Sequence, residues 1–185
     1  MPNTSAAKKT KSAAQAAPHH WHLATDAPST ALTDFEYALM RTQEAFVRWQ
    51  SACLAAVAGI ELNGQDNALL HVICMHGRPK MIKELMQVTN RQDLANVQYG
   101  LRKLMKAGLV SKSGAGRVGV YYAATEQGTE VCEAYAALRR EVLQQEVGRL
   151  SRTQELLQQA AHHLQQLEKC YESAAREALT FYRRR

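Results

Sequence analysis

Nowhere does the chain run to the ~18 consecutive apolar residues that a bilayer-crossing helix needs, so no membrane partner is expected. The four cysteines, Cys53, Cys74, Cys132 and Cys170, stand far apart with no CxxC pair. That spacing argues against a disulfide framework or a structural zinc site and suits a reduced, cytoplasmic setting. The opening "MPNTSAAKKTKSAAQAAP" carries lysines but no apolar centre, and does not read as a secretion signal. A Walker loop, an HExxH helix and a Ser/His/Asp order are also missing. Catalysis therefore has no candidate residues, the chain is not read as an enzyme, and no cofactor is expected. What is present is material for one ordinary core: 185 residues, 46% of them apolar, with some left for tails.

The charge is unevenly placed. Between Gly77 and Arg117 stand nine cations (Arg78, Lys80, Lys83, Arg91, Arg102, Lys103, Lys106, Lys112 and Arg117) against two acids, Glu84 and Asp93. That segment carries 9 − 2 = +7, so the chain's net +6 is owed entirely to it and the remainder sums to −1. A local excess of this kind points to a polyanionic partner. The bland counterpart is a solvated basic face.

Residues 1–30, rich in Ala, Ser, Thr and Pro, read as a disordered or docking arm. Within it "HHWHLA" gathers His19, His20 and His22 around Trp21, an indole expected to pack on something. Residues 31–62 read as a long first helix. Leu32, Phe35, Leu39, Phe46, Trp49, Cys53, Ala56 and Ile60 recur at steps of three and four, with Thr33 or Asp34 as cap. Residues 63–125 form a lobe. A second helix, Gly64 to Met75, stops at "HGRP", and a short third, Met81 to Val88, turns Ile82, Leu85 and Met86 inward.

After "TNRQD" comes a fourth helix that buries Leu94, Val97, Leu101 and Leu104 and ends at Gly108, a position suited to positive φ. Its opposite face carries Gln92, Ala95, Asn96, Tyr99, Arg102, Lys103 and Lys106, with Gln98 on the flank. "LVSKS" and "VGVYYAAT" then form two strands joined by "GAGR". Residues 126–185 read as terminal helices, capped by Thr125 and broken near Gly148 and Ser151. Their last part places Leu157, Ala160, Leu164, Leu167, Tyr171, Ala174, Ala178 and Phe181 on a heptad seam, which calls for a second helix, expected from another copy of the chain.

Helix, helix, short helix, turn, polar-faced helix and hairpin is the order of a winged helix-turn-helix. The fold class expected is mainly α (α+β), with a two-stranded wing and long terminal dimerisation helices. Amides such as Gln92, Asn96 and Gln98 both donate and accept, as base edges in a major groove about 12 Å wide require. Lys and Arg hold phosphates, and a wing cation such as Arg117 can reach a narrow minor groove.

At these residues the chain resembles the MarR family of bacterial transcriptional regulators, over roughly Asp34 to Gln127. The resemblance is carried by "LNGQDNALLHVI", "IKELMQVTN", "VQYGLRKLMKAGLV" and "GRVGVYYAATEQG". It implies an obligate homodimer, a pseudo-palindromic double-stranded DNA operator, and release of that DNA by a small-molecule effector or an oxidant. It places Gln92, Asp93, Ala95, Asn96, Gln98 and Tyr99 near bases and Arg117 on the wing. Two departures stand out: a short glycine-rich wing with one arginine, and Gly100 inside the recognition helix, which costs about 1 kcal/mol relative to Ala.

The expected function is thus a regulator, by default a repressor, that occupies operator DNA. Two other readings share the residues. One is a protein-interaction module that has lost DNA. The other is a DNA-binding sensor using a thiol, or a metal held by His71, His76 and a cysteine. Cys53 and Cys74 sit on apolar faces and read as inert core thiols, with Cys132 and Cys170 similar. His162 and His163 read as surface residues beside the seam.

Overall fold

The computed structural model describes residues 21–116 and 119–182. His19, His20 and Arg117 lie outside the described residues. By internal packing the chain divides into Met1–Ala45 and Phe46–Arg185, with the division inside the first helix.

In the first unit, helix α1 (Ala27–Ala58) begins earlier than the expected cap at Thr33 or Asp34. The reason is a reciprocal cap. The Ser29 N–H donates to Asp26 Oδ1 at 2.8 Å and the Asp26 N–H to Ser29 Oγ at 2.9 Å. Those bonds hold the Asp26 carboxyl below its ordinary range. Thr33, read as a cap, instead sends its hydroxyl to the carbonyls of Leu23 and Ser29. The Trp21 ring meets Tyr37 edge-on at 6.1 Å. The segment from Trp21 to residue 30 is thus tied to the start of α1 by these contacts.

In the second unit, the end of α1 delivers Cys53 and Leu54 to the core. Helix α2 (Gly64–Cys74) opens on a capping box: Asn63 Oδ1 accepts from the Asp66 N–H at 2.8 Å, and Asp66 Oδ2 accepts from the Asn63 N–H at 3.2 Å. A tight turn over Met75–Gly77 leads to strand β1 (Lys80–Met81) and helix α3 (Ile82–Val88). Helix α4 (Leu94–Lys106) is followed by β2 (Val110–Ser113) and β3 (Tyr121–Ala124).

The sheet is antiparallel in the order β1-β3-β2, with Lys80 opposite Tyr122 and Val110 opposite Ala124. The expected two-stranded wing thus gains a third strand, too short to show a period-2 signal in the sequence. Leu69, Leu70, Ile73, Leu85, Val97, Leu101, Leu104, Leu109, Val110 and Val131 close one core between the helices and this sheet.

Helix α5 (Glu126–Leu138) starts at the expected cap: Thr125 Oγ1 accepts from the Gly128 N–H at 3.0 Å and donates to the Gly108 carbonyl at 2.7 Å. One hydroxyl thereby joins the exit of α4 to the entry of α5. Gly128 is required beside it, since a Cβ there would fall 2.0 Å from the Leu109 carbonyl oxygen. A π-helical stretch, Arg139–Gln144, runs into α6 (Gln145–Gly148). The chain then breaks at residues 149–152, near the expected Gly148 and Ser151, before α7 (Thr153–Tyr182).

Along α7 the heptad seam is uncovered: Leu157, Leu164, Tyr171 and Phe181 are all exposed. Leu32, Leu39 and Phe46 of the α1 stripe are exposed too. No helix among the described residues is long and apolar enough to cross a membrane.

Candidate nucleic-acid interface

The helix pair α3 and α4 is set by a turn whose end is fixed by a carboxylate. Asp93 is the N-cap of α4, and its Oδ1 accepts the Asn96 N–H at 3.1 Å. Its other oxygen accepts from Asn96 Nδ2. Asp93 therefore has a structural task, and it leaves the Asn96 carboxamide its oxygen and one N–H for a ligand.

The other end of α4 closes in a Schellman motif. The Leu109 N–H bonds the Leu104 carbonyl at 3.0 Å and the Gly108 N–H the Met105 carbonyl at 3.0 Å, with Gly108 at φ 76° as expected. Between these ends Val97, Gly100, Leu101 and Leu104 are buried.

The outward face is open. Gln92, Ala95, Asn96, Gln98, Tyr99, Arg102 and Lys106 are all exposed, Tyr99 at 55%. Ala95, Tyr99, Arg102 and Lys106 succeed one another at steps of four, three and four and form one line down the helix. The Arg102 guanidinium lies 5.8 Å from the Tyr99 ring centre and the Lys103 ammonium 5.0 Å from it. Such stacking holds an aromatic edge and a planar cation together at the surface.

Lys103 is placed differently from its neighbours. Its ammonium pairs with Asp66, whose side chain is only 4% exposed, so its charge is satisfied inside the protein. The same contact explains Gly100. A Cβ there would stand 2.9 Å from Asp66 Oδ1 and 3.3 Å from Leu69 Cδ2, so α4 can seat against α2 only without one. Leu94, expected in the core, is instead exposed at the first position of α4.

The basic block is partly spent as well. Lys80 is fully buried, and its ammonium donates to the carbonyls of Ile73 (3.0 Å), Arg78 (3.1 Å) and Met75, closing the end of α2. Burial pulls its pKa down, helped by nearby Arg78. Arg78 is hydrogen-bonded to Glu84, which raises the guanidinium's pKa and lowers the carboxyl's. Of the nine cations, Arg78, Lys80 and Lys103 thus have internal partners. Lys83, Arg91, Arg102, Lys106 and Lys112 pair with no carboxylate among the described residues. Arg117 lies outside the described residues; Gly116 and Gly119 are both at positive φ.

A second polar cluster went unforeseen. Trp49 Nε1, both amide atoms of Asn67 and His71 Nε2 are buried and make no hydrogen bond of ordinary geometry. The His71 ring sits 4.4 Å from that of Tyr135. Burial, with Arg139 beside it, lowers the His71 pKa, and burial raises that of the Tyr135 phenol. Trp49 reads as part of the α1 apolar stripe and His71 as part of a candidate metal set, so neither spacing pointed to this cluster. Among the described residues no group of three or more His, Cys, Asp or Glu is gathered closely enough to hold a metal ion, so His71, His76 and a cysteine do not form such a set.

Residues 62–128 match the family model of a winged helix DNA-binding domain. None of the curated proteins compared matches the chain. Among solved structures, Staphylococcus aureus MarR in complex with salicylate and kanamycin is similar at TM-score 0.62 and 15% identity, over 77% of this chain and 93% of that one. A MarR family regulator from Rhodococcus sp. RHA1 is similar at 0.61 and 16%, over 73% and 94%. The S. aureus MepR–DNA complex follows at 0.56 and 20%, over 74% and 96%. The chain therefore has the winged-helix fold seen in MarR regulators, with long helices before and after the lobe.

Proposed function

We propose that the chain is a sequence-specific double-stranded DNA-binding transcriptional regulator, by default a repressor, acting as a homodimer on a pseudo-palindromic operator. The observation that carries this reading is the uncovered outer face of α4. Amides, an aromatic and cations stand together there, while the opposite face is sealed against α2. Gln92, Asn96, Gln98 and Tyr99 face base edges, with Ala95 small enough to let the helix approach a thymine methyl. Arg102 and Lys106, with Lys112 on β2 and Arg117 on the wing, hold phosphates. Asp93 acts through the cap it provides and Lys103 through Asp66, so both shape the helix rather than touch DNA.

A second copy of the chain supplies what the terminal helices lack. The α7 seam repeats at heptad spacing, which is the pattern of a helix awaiting a helix. A groove of about 700 Å³ at the junction of the π segment, α6 and α7 includes the seam residue Leu157 in its wall. Covering the groove and seam by the partner removes exposed apolar surface of the kind monomers rarely keep.

The test is selection of bound duplexes from a random pool. An inverted repeat whose half-sites are separated by about one helical turn is expected. Asn96→Ala should flatten the base preference at one position per half-site by about 1–3 kcal/mol. Equal recovery of all sequences, with a salt-independent affinity, would refute the reading.

A further inference from the structure

Two cysteines distant in sequence meet in the core. Cys74, the last residue of α2, and Cys132, in the second turn of α5, place their sulfurs 2.9 Å apart although 58 positions separate them. Both are free thiols, and both are half-buried rather than sealed. Cys53 by contrast is buried, which raises its thiol pKa, and Cys170 is exposed on α7.

The setting favours a thiolate at Cys74. A cysteine at the C-terminal end of a helix ordinarily faces the negative end of the dipole. Here that end is cancelled, because the buried Lys80 ammonium takes the carbonyls of Ile73 and Met75, which flank Cys74. The Cys132 thiol is placed to donate to the Cys74 sulfur, and this bond, together with Lys80, lowers the Cys74 pKa. Cys132 is pushed strongly up by the same contact and by burial. The pair thus divides into an attacking and a resolving thiol.

From this juxtaposition we infer that Cys74 and Cys132 form a reversible dithiol–disulfide site that takes small hydroperoxides as its oxidant. The Cys74 thiolate attacks the terminal oxygen of the hydroperoxide. An S–O bond forms, the O–O bond breaks, and the leaving alkoxide takes a proton to become an alcohol. The Cys132 thiol, losing its proton, then attacks the Cys74 sulfenic acid. The S–S bond forms, the S–O bond breaks, and hydroxide leaves with that proton as water. Two thiols are oxidised by two electrons and one hydroperoxide is reduced. The 2.9 Å between the sulfurs is within about 1 Å of the ~2.05 Å of a disulfide. The inference does not depend on DNA binding, since it is read on the protein alone.

The experiment treats the full chain with one equivalent of tert-butyl hydroperoxide and reads free thiols, intact mass and non-reducing peptide maps. Loss of two thiols and two hydrogens is expected, with the Cys74 and Cys132 peptides joined and dithiothreitol restoring both. Thermal melting of the oxidised chain should shift upward, and that shift should vanish on reduction. Cys132→Ser should stop at a gain of one oxygen that a sulfenic acid probe captures, whereas Cys74→Ser should react at least tenfold more slowly. Retention of all four thiols would overturn the inference, as would a bridge that includes Cys53 or Cys170, or capture of the sulfenic acid at Cys132. The peptide map of the unsubstituted chain decides the matter even if a variant fails to fold.

Discussion

Replacing Lys103 by Met separates two roles that a lysine on this face could have. Its side chain is 26% exposed and that of its carboxylate partner Asp66 only 4%, so the pair lies at the edge of the core between α2 and α4. Removing one partner of a fully buried pair costs about 3–5 kcal/mol. Two features reduce that figure here. Lys103 is partly solvated, and Asp66 keeps the Asn63 N–H at 3.2 Å through its capping box. A loss of about 2 kcal/mol is therefore expected, which for a chain of this size lowers Tm by roughly 4–8 °C. Asp66→Asn on top of Lys103→Met should recover part of it, because no buried charge is then left alone. In operator binding the salt dependence should stay unchanged, since this charge already has its partner. Arg102→Met is the control: stability holds, and the slope of log K against log[salt] falls by about 0.9 per chain. Denaturation and binding isotherms at several salt concentrations read both. Should Lys103→Met lower the salt slope like Arg102→Met and leave Tm alone, the internal pairing would be refuted.

Three further outcomes follow from the packing. Gly100→Ala, which in an open helix would stabilise by about 1 kcal/mol, should instead destabilise, since its Cβ would press on Asp66 Oδ1 at 2.9 Å; a higher Tm would contradict the close seating of α4. His71 has a lowered pKa in the fold from burial and Arg139, so as pH falls below its unfolded value of about 6.5 the unfolded chain binds a proton that the folded one resists. Stability should fall with decreasing pH from about 6.5 down to the folded value, by at most ~1.4 kcal/mol per pH unit. His71→Phe should remove that component in chemical denaturation at pH 7 and pH 5; identical pH dependence in both proteins would remove His71 as its source. Leu164→Asp on the α7 seam should shift the sedimenting species from dimer to monomer, and an unchanged dimer would place the partner elsewhere.

Features that depend on neighbours in sequence were legible beforehand. The Gly108 exit from α4, the Thr125 cap and the break near Gly148 each depend on a few adjacent residues, and periodicity alone located α2, α4 and the seam of α7. Residues 26–29 show the limit even there. The Asp26 and Ser29 cap was overlooked because Thr33 and Asp34 offered equally good capping chemistry nearer the apolar stripe. What composition could not disclose is pairing across distance. Lys103 meets Asp66 from 37 positions away, and Cys74 meets Cys132 from 58. Lys80 looked like part of a solvated basic block, yet its ammonium serves three carbonyls at the end of α2, a role that only the turn at Met75–Gly77 creates. For the interface, the sequence identified the exposed face but overstated its usable charge.

That division of the cations bears on how the helix would work. At the N-terminus of α4 the Asn96 N–H is turned to the Asp93 carboxylate, whose charge sits at the positive end of the helix dipole. A phosphate therefore has little reason to settle there. On the proposed reading, attraction comes from the other side of the face, where Arg102 and Lys106 on α4 and Lys112 on β2 meet no carboxylate among the described residues. The uncharged groups Gln92, Asn96, Gln98 and Tyr99 cluster toward the opposite end, beside the Asp93 carboxylate, where on the proposed reading base edges are better partners than phosphates. The cap at Asp93 would thus favour reading over gripping at the leading end of α4. Asp93→Asn retains a capping oxygen while removing the charge, so it should tighten binding to random duplex more than to the operator. Equal gains on both would mean that the carboxylate has no part in this discrimination.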